Sequence, residues 1–93
     1  MAVTVYIPTP FRRATGNRDR IDVSAADVSG LLDELERAYG GLKGLVRNER
    51  GDVHHHVAIY VNSEPIDGLD GLATSLKDGD EVAIIPALAG GLR

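Results

Sequence analysis

The stretch DGDEVAIIPALAGG, residues 78–91, determines the architecture that the rest of the chain has to fit. Its Asp-Gly-Asp turn signal is followed by a predicted strand, EVAIIP (81–86), and then by small residues that include Gly90-Gly91. Small residues gain little by folding back on a core. We therefore predict a folded domain at 1–86 and a flexible C-terminal tail at 87–93.

A second strand with the right character lies at the other end of the chain. The run VTVYI (3–7) alternates with period two, as a half-buried strand does, and no proline interrupts it before Pro8. The first and last strands are therefore expected to lie side by side in the middle of a sheet. Their inward-facing residues are predicted to be Val3, Val5, Ile7, Val82 and Ile84.

The middle of the chain supplies one helix and three further strands. A polar hairpin loop (11–19) is predicted to lead into an antiparallel strand at 20–23, and Asp27 is a plausible N-cap. Helical spacing then produces an apolar stripe of Val28, Leu31, Leu32, Leu35, Ala38 and Tyr39. After the helix, an irregular turn is predicted to fill the end of the core with the side chains of Leu42, Leu45 and Val46. Further along, residues 54–61 are predicted to form a strand, residues 62–64 a tight turn and residues 65–66 a short edge segment.

This order favours an α+β fold with one main helix lying across a mixed sheet of four to five strands. The 93 residues suffice for one domain, and 43% of them are apolar, so a real core is possible.

The formal charge of −4 and the lack of any Lys/Arg run argue against nucleic-acid or anionic-membrane partners. Cysteine is absent, and no apolar run approaches the roughly 20 residues that span a bilayer. A cytoplasmic location is expected.

Three consecutive histidines, His54–His56, invite a metal interpretation. On a strand, His54 and His56 would share a face and offer two imidazoles, but two ligands are too few for a firm site. We therefore predict no metal site and interpret the histidines as residues that lead from a loop into a strand.

Three blocks of the sequence resemble the ubiquitin-like sulfur carriers of the MoaD/ThiS family over nearly the whole chain. They are IPTPFR (7–12), YVNSE (60–64) and LDGLATSLKDGDEV (69–82), the last leading through IIP into the Gly-Gly tail. The spacing is most like that of the CysO-like carriers that feed cysteine synthesis. The resemblance implies a β-grasp (ubiquitin-like) fold.

The resemblance also implies the chemistry of the tail. In the family, an E1-like enzyme uses ATP to form an acyl-adenylate on the terminal glycine, and sulfide or a persulfide then displaces AMP to leave a thiocarboxylate. Here that glycine would be Gly91, presented by Leu88, Ala89 and Gly90. An extended tail of five residues (87–91) reaches roughly 16 Å, enough to thread a narrow channel. The sulfur acceptor would be a biosynthetic enzyme, for example a cysteine-synthase-like one.

Leu92 and Arg93 depart from the usual family pattern, because they hold the Gly91 carboxyl in a peptide bond. Our hypothesis is that a JAMM-type zinc peptidase cleaves between Gly91 and Leu92.

A docking face for partner enzymes is predicted on the outward side of the sheet. Its residues are Tyr6, Ala58, Tyr60, Ala83 and Ile85, with Leu88 nearby. Acidic residues could steer the chain toward a basic partner; they are Glu64, Asp67, Asp70, Asp80 and Glu81.

Several functions remain open from the sequence. Besides a sulfur carrier with no cofactor of its own, the chain could be a ubiquitin-like modifier joined to lysines through Gly91, or the small subunit of a molybdopterin synthase. We expect no enzyme activity of its own, because no nucleophile–base pair or carboxylate dyad is recognisable.

Overall fold

The fold is described from a computed structural model, which covers residues 2–86. It contains a single α-helix, α1 (Val28–Ala38), within those residues. The strands are β1 (Ala2–Tyr6), β2 (Arg20–Ser24), β3 (Val57–Val61), β4 (Glu64–Pro65) and β5 (Glu81–Pro86). Short 3₁₀ segments lie at Thr9–Thr15, Gly40–Leu42, Ile66–Gly68 and Gly71–Ala73. The predicted tail at 87–93 lies outside the described residues.

The five strands form one mixed sheet in the order β2-β1-β5-β3-β4. β1 and β5 run parallel in its centre, and the other neighbouring pairs are antiparallel. The prediction that the first and last strands lie side by side is confirmed, and so is the β-grasp arrangement of one main helix across a mixed sheet.

The core lies between the inner face of this sheet and α1. All five strand residues predicted to face inward are buried, as are Val28, Leu31, Leu32 and Leu35 of the helix. The predicted stripe was wrong at Ala38, which is exposed, and Tyr39 is only half-buried. The helix ends at Ala38, and Tyr39 already has a non-helical backbone as its C-cap. The stripe therefore loses Ala38, whereas Tyr39, just beyond the end of the helix, still packs against the core.

Side chains fix α1 at its start and along its exposed side. The Asp27 carboxylate accepts a hydrogen bond of 2.7 Å from the Gly30 backbone N–H, which confirms the predicted N-cap. Arg47, from the loop after the helix, reaches back to Asp33 at 2.7 Å and Glu36 at 3.1 Å. Burial alone would lower the pKa of the Arg47 guanidinium, but its hydrogen bonds to Glu36 and Asp33 outweigh that effect and raise the pKa.

The segment predicted as a plain hairpin loop at 11–19 has more structure than expected. It contains the end of the Thr9–Thr15 3₁₀ helix, and Phe11 and Thr15 are buried against the core at 9% and 1% exposure. The buried Thr15 hydroxyl oxygen lies 3.1 Å from the Arg12 carbonyl oxygen and 2.9 Å from that of Arg18. A hydroxyl with carbonyl partners can be buried at little cost, which polar composition alone did not reveal.

The predicted core plug after the helix is partly confirmed. Leu42 and Val46 are buried, whereas Leu45 is exposed.

The turn between β3 and β4 is the tight one expected at 62–64. Asn62 and Ser63 both have positive φ, 50° and 72°, which is the geometry of a two-residue type I′ hairpin. None of the helices within residues 2–86 is long and apolar enough to cross a membrane.

Candidate functional site: the outer sheet face at the root of the tail

The strand that leads into the tail occupies the middle of the sheet. Pro86, the last described residue, lies opposite Val57 of β3, and Ile85 lies opposite Ala58. β1 pairs with the first half of β5, up to Ala83, whereas β3 pairs with β5 as far as Pro86, so the β3 ladder holds the C-terminal end of β5 where the chain continues into residue 87. The predicted tail and cleavage residues lie outside the described residues, so their roles stay predictions. They are Leu88, Ala89, Gly90, Gly91 and Leu92.

Two tyrosines flank β5 on its outer face. Tyr6 of β1 and Tyr60 of β3 are both paired in register with Ala83. The row Tyr6–Ala83–Tyr60 therefore crosses three strands, with a methyl group between two aromatic rings. Such cross-strand neighbours lie close enough for their side chains to form one continuous surface.

These residues line a shallow groove of about 490 Å³ on the outer face. Its lining residues are Tyr6, Tyr60, Ser63, Glu81, Ala83 and Ile85. Ile85 is 46% exposed, which is unusual for a residue of a central strand, and nothing within residues 2–86 covers it further. The groove is therefore an apolar surface on the strand that carries the tail.

Four of the five residues predicted as a docking face come together in this groove, and Ala58 does not line it. Ala58 lies beside Ile85 in the sheet but contributes to a different cavity, at the β3 edge. The predicted docking role of all five residues stays a prediction.

The predicted docking face left out two lining residues, Ser63 and Glu81, although Glu81 was predicted as an acidic steering residue. The signal for Glu81 was present in the alternation, because residues 81, 83 and 85 share one face of a strand. Glu81 Oε2 accepts a long hydrogen bond of 3.4 Å from the Tyr6 hydroxyl, which places a carboxylate at the polar end of the groove. Ser63 could not be found this way, because its position depends on the type I′ turn.

Asp80 anchors the start of β5 to the neighbouring turn. Its carboxylate accepts hydrogen bonds from the Asn62 side-chain amide at 3.0 Å and from the Lys77 backbone N–H at 2.8 Å. Both bonds favour the ionised form, and they lower the pKa of Asp80. The Asn62 side-chain oxygen in turn accepts from the Glu81 backbone N–H at 3.0 Å. This network fixes Glu81, and with it the polar end of the groove.

The three histidines do not belong to a strand. β3 begins at Val57, and His54–His56 form the turn before it, so the predicted strand at 54–61 was too long by three residues. His54 Nε2 lies 2.8 Å from the Gly44 carbonyl oxygen, which holds the chain in this turn. The rings of His54 and His56 stack with centroids 5.0 Å apart. No group of three or more potential metal ligands occurs among residues 2–86.

Comparison with known proteins places this geometry in one family. The sequence model of the ThiS family matches residues 5–91, a range that ends at Gly91. The chain is 40% identical over 93 residues to the sulfur carrier protein CysO of Mycobacterium tuberculosis, covering 98% of this chain and 100% of that protein. It is also 40% identical over 84 residues to small archaeal modifier protein 3 of Haloferax volcanii, covering 87% of this chain and 89% of that protein.

A solved structure shows the same fold. The crystal structure of the Amycolatopsis orientalis BexX/CysO complex contains a chain that matches with a TM-score of 0.89 and 38% identity. The match covers 97% of this chain and 100% of that chain. The five-stranded mixed sheet with its crossing helix is therefore the architecture of these proteins.

Proposed function

This chain belongs to the ThiS family, and on that basis we propose that it is a sulfur carrier whose Gly91 carboxylate is converted to a thiocarboxylate. The observation that carries the proposal is the family match, which begins within β1 at residue 5, takes in the other four strands and ends at Gly91. The full-length similarity to a protein named as the sulfur carrier CysO supports the same function.

The proposed reaction has two steps, both catalysed by an E1-like partner enzyme. The Gly91 carboxylate attacks the α-phosphorus of ATP, forming an acyl-adenylate and releasing pyrophosphate. Sulfide then adds to the acyl carbon, AMP leaves, and the thiocarboxylate remains on the carrier. A free carboxylate cannot react with sulfide directly because it has no adequate leaving group, so the adenylation step is required.

The described residues support this role because the surface proposed to bind the enzyme lies on the folded sheet, apart from Gly91, where the reaction is proposed to occur. The groove of Tyr6, Tyr60 and Ile85 gives an activating enzyme a surface to bind, and β5 holds Pro86 at a fixed point of the sheet. Residues 87–91 then extend up to roughly 16 Å from that point. A glycine at the reacting position leaves the channel free of any Cβ.

We further propose that a JAMM-type peptidase removes Leu92 and Arg93 before activation. With those residues present, the acyl carbon of Gly91 belongs to a peptide bond and has no carboxylate to adenylate. The sulfur acceptor is proposed to be a biosynthetic enzyme, with cysteine formation as the leading example, because of the similarity to CysO.

The test uses the chain ending at Gly91, incubated with the E1-like enzyme of the same host, ATP and sulfide. Intact mass spectrometry should show one oxygen replaced by sulfur, and pyrophosphate should be released. The Gly91→Ala variant of this form should melt like the parent but give little thiocarboxylate. The chain that retains Leu92 and Arg93 should give none until the peptidase is added. Thiocarboxylate formation on the uncleaved chain would refute the processing step, and its absence from the chain ending at Gly91 would refute the carrier function.

A second function is favoured by a specific relative. The 40% identity to small archaeal modifier protein 3 supports conjugation of Gly91 to lysine side chains after the same adenylation. Enrichment of the chain from host cells separates the two functions. Isopeptide-linked adducts on other proteins would establish the modifier, whereas free chain with a terminal thiocarboxylate would establish the carrier.

A further inference from the structure

The two ends of the sheet differ in charge, and the register shows which end leads into the tail. β1 and β5 are parallel, and Tyr6 pairs with both Ala83 and Arg20. The C-terminal ends of β1 and β5 therefore lie at the same end of the sheet as the first residue of β2. We call this the tail end, because the chain continues there from Pro86 into residues 87–93.

Basic residues are concentrated at the tail end. Four of the chain's ten Lys and Arg residues fall between positions 12 and 20, in or next to the loop that joins β1 to β2: Arg12, Arg13, Arg18 and Arg20. Asp19 is the only acidic residue in the first twenty positions. Asp78 and Asp80 lie at the opposite end, where the 78–80 turn bonds to the start of β1 through Ala2 and Thr4.

Three of these arginines are available to a partner. Arg13, Arg18 and Arg20 are exposed, and within residues 2–86 none of them forms an ion pair. Arg12 differs, because its Nε donates a hydrogen bond of 3.0 Å to the Ile7 carbonyl oxygen and its side chain is partly buried. Arg12 therefore supports the loop, whereas the other three present unpaired positive charge.

The loop that carries the arginines is held in one conformation by its own core contacts. Phe11 and Thr15 are buried beneath it, and the turn is completed by Gly16 and Asn17, with φ values of 66° and 68°. A partner that binds these arginines therefore does not have to order the backbone first, which lowers the entropic cost of binding.

We propose that Arg13, Arg18 and Arg20 form a docking surface for acidic side chains around the entrance of the activating enzyme's nucleotide site. This inference rests on the proposed function. A chain with a net charge of −4 would be repelled by such an entrance unless its basic end approached first. The charge separation between the two ends therefore orients the carrier so that Gly91 arrives ahead of the body.

The number of residues between β5 and Gly91 favours protein carboxylates, rather than bound nucleotide, as the partner of the arginines. Five residues span at most roughly 16 Å, so when Gly91 lies at the nucleotide the tail end of the sheet can lie up to that far from the phosphates. At that distance the arginines contact the rim of the entrance and not the phosphates inside it.

The test measures the association rate of the chain ending at Gly91 with the E1-like enzyme by stopped-flow fluorescence at low and high salt. The combined variant Arg13→Glu, Arg18→Glu and Arg20→Glu should associate at least about tenfold more slowly at low salt, and the difference should shrink at high salt. A matched pair controls for net charge: Arg18→Glu should slow association severalfold, and Lys77→Glu, next to the acidic turn at the opposite end, less than about twofold. Thermal melting checks that each variant is folded.

Three outcomes would overturn the inference. Equal slowing by Arg18→Glu and Lys77→Glu would show that net charge alone matters. Slowing that appears only when the enzyme holds a non-hydrolysable ATP analogue would make the phosphates the partner. If the arginine variants associate at the rate of the parent chain and pyrophosphate release is normal, the proposed docking surface is refuted and the carrier function is not. If the parent chain itself releases no pyrophosphate, both the docking surface and the carrier function are refuted.

Discussion

The two faces of β5 have nearly the same kind of sequence and opposite environments. Val82 and Ile84 point inward and are 0% and 2% exposed, whereas Ala83 and Ile85 point outward, and Ile85 is 46% exposed. Two neighbouring isoleucines therefore differ in exposure by more than twentyfold. On the inner face the apolar side chains are explained by α1, which packs on them; on the outer face nothing within residues 2–86 explains them. An apolar residue that the fold does not need is a candidate for binding a partner.

The largest expected effect tests this contrast directly. Ile84→Ala removes buried methyl groups from the middle of the core and should lower the free energy of unfolding by about 3 kcal/mol. Ile85→Ala, one residue further on, should lower it by less than about 1 kcal/mol, because the side chain is already half in solvent. Urea denaturation of the two variants measures both values. Comparable losses would mean that the outer face is also a structural face.

The outer face should show its importance in partner binding instead. Ile85→Ser should raise the KM of the activating enzyme for this carrier about tenfold, equivalent to about 1.4 kcal/mol of binding free energy, while the melting temperature changes little. Steady-state pyrophosphate release at varied carrier concentration gives the KM. The matched control is Leu69→Ser, at an exposed leucine outside the groove, which should leave the KM unchanged.

The inner face also depends on how α1 begins. Asp27→Ala removes the acceptor for the Gly30 N–H and should cost about 1 kcal/mol of stability. Asp27→Asn keeps a side-chain oxygen in the same place, so it should cost no more than a few tenths of that amount. Thermal unfolding with parent, Asn and Ala variants in parallel measures the series, and an Asn variant as unstable as the Ala variant would argue against the cap.

The smallest expected effect concerns Asp80, which precedes β5 and anchors the start of the strand, so it helps to position both the inner and the outer face of β5. Hydrogen bonds from Asn62 and Lys77 lower the pKa of Asp80 in the folded chain. The ionised carboxylate therefore stabilises the fold fully above the ordinary aspartate pKa, and this stabilisation is lost as the pH falls through the lowered pKa of the folded chain. Because the carboxylate is largely exposed, we expect less than about 1 kcal/mol. Asp80→Asn should therefore be less stable than the parent near pH 7, and the gap should close in acid. A gap that stays the same in acid would argue against this role of the Asp80 carboxylate.

The sequence predicted those parts of the fold that repeat along the chain. Alternation in β1 and β5 was enough to place Val5 and Val82 in the centre of the core, and helical spacing found three turns of α1. Prediction from the sequence failed where a single local contact determines the structure. The hydrogen bond from His54 to Gly44 ends the strand pattern before Val57, and the carbonyl partners of Thr15 allow a polar segment to be buried.

The same distinction applies to the candidate site. Tyr6, Tyr60, Ala83 and Ile85 were predictable because outward positions on adjacent central strands must be neighbours. Ala58 was predicted with them but lines another cavity, at the β3 edge. Ser63 depended on the two positive φ angles of the β3–β4 turn, which no periodic pattern encodes.

The central position of β5 also determines how the domain responds to mechanical force. A pull on the C-terminal end is directed along β5, so it loads the β1 and β3 ladders in shear, and their hydrogen bonds must break together rather than one after another. An edge strand under the same force would peel away bond by bond. An enzyme that draws the end of this chain into a channel therefore works against a fold that resists extraction, and forced unfolding from this terminus should be slow.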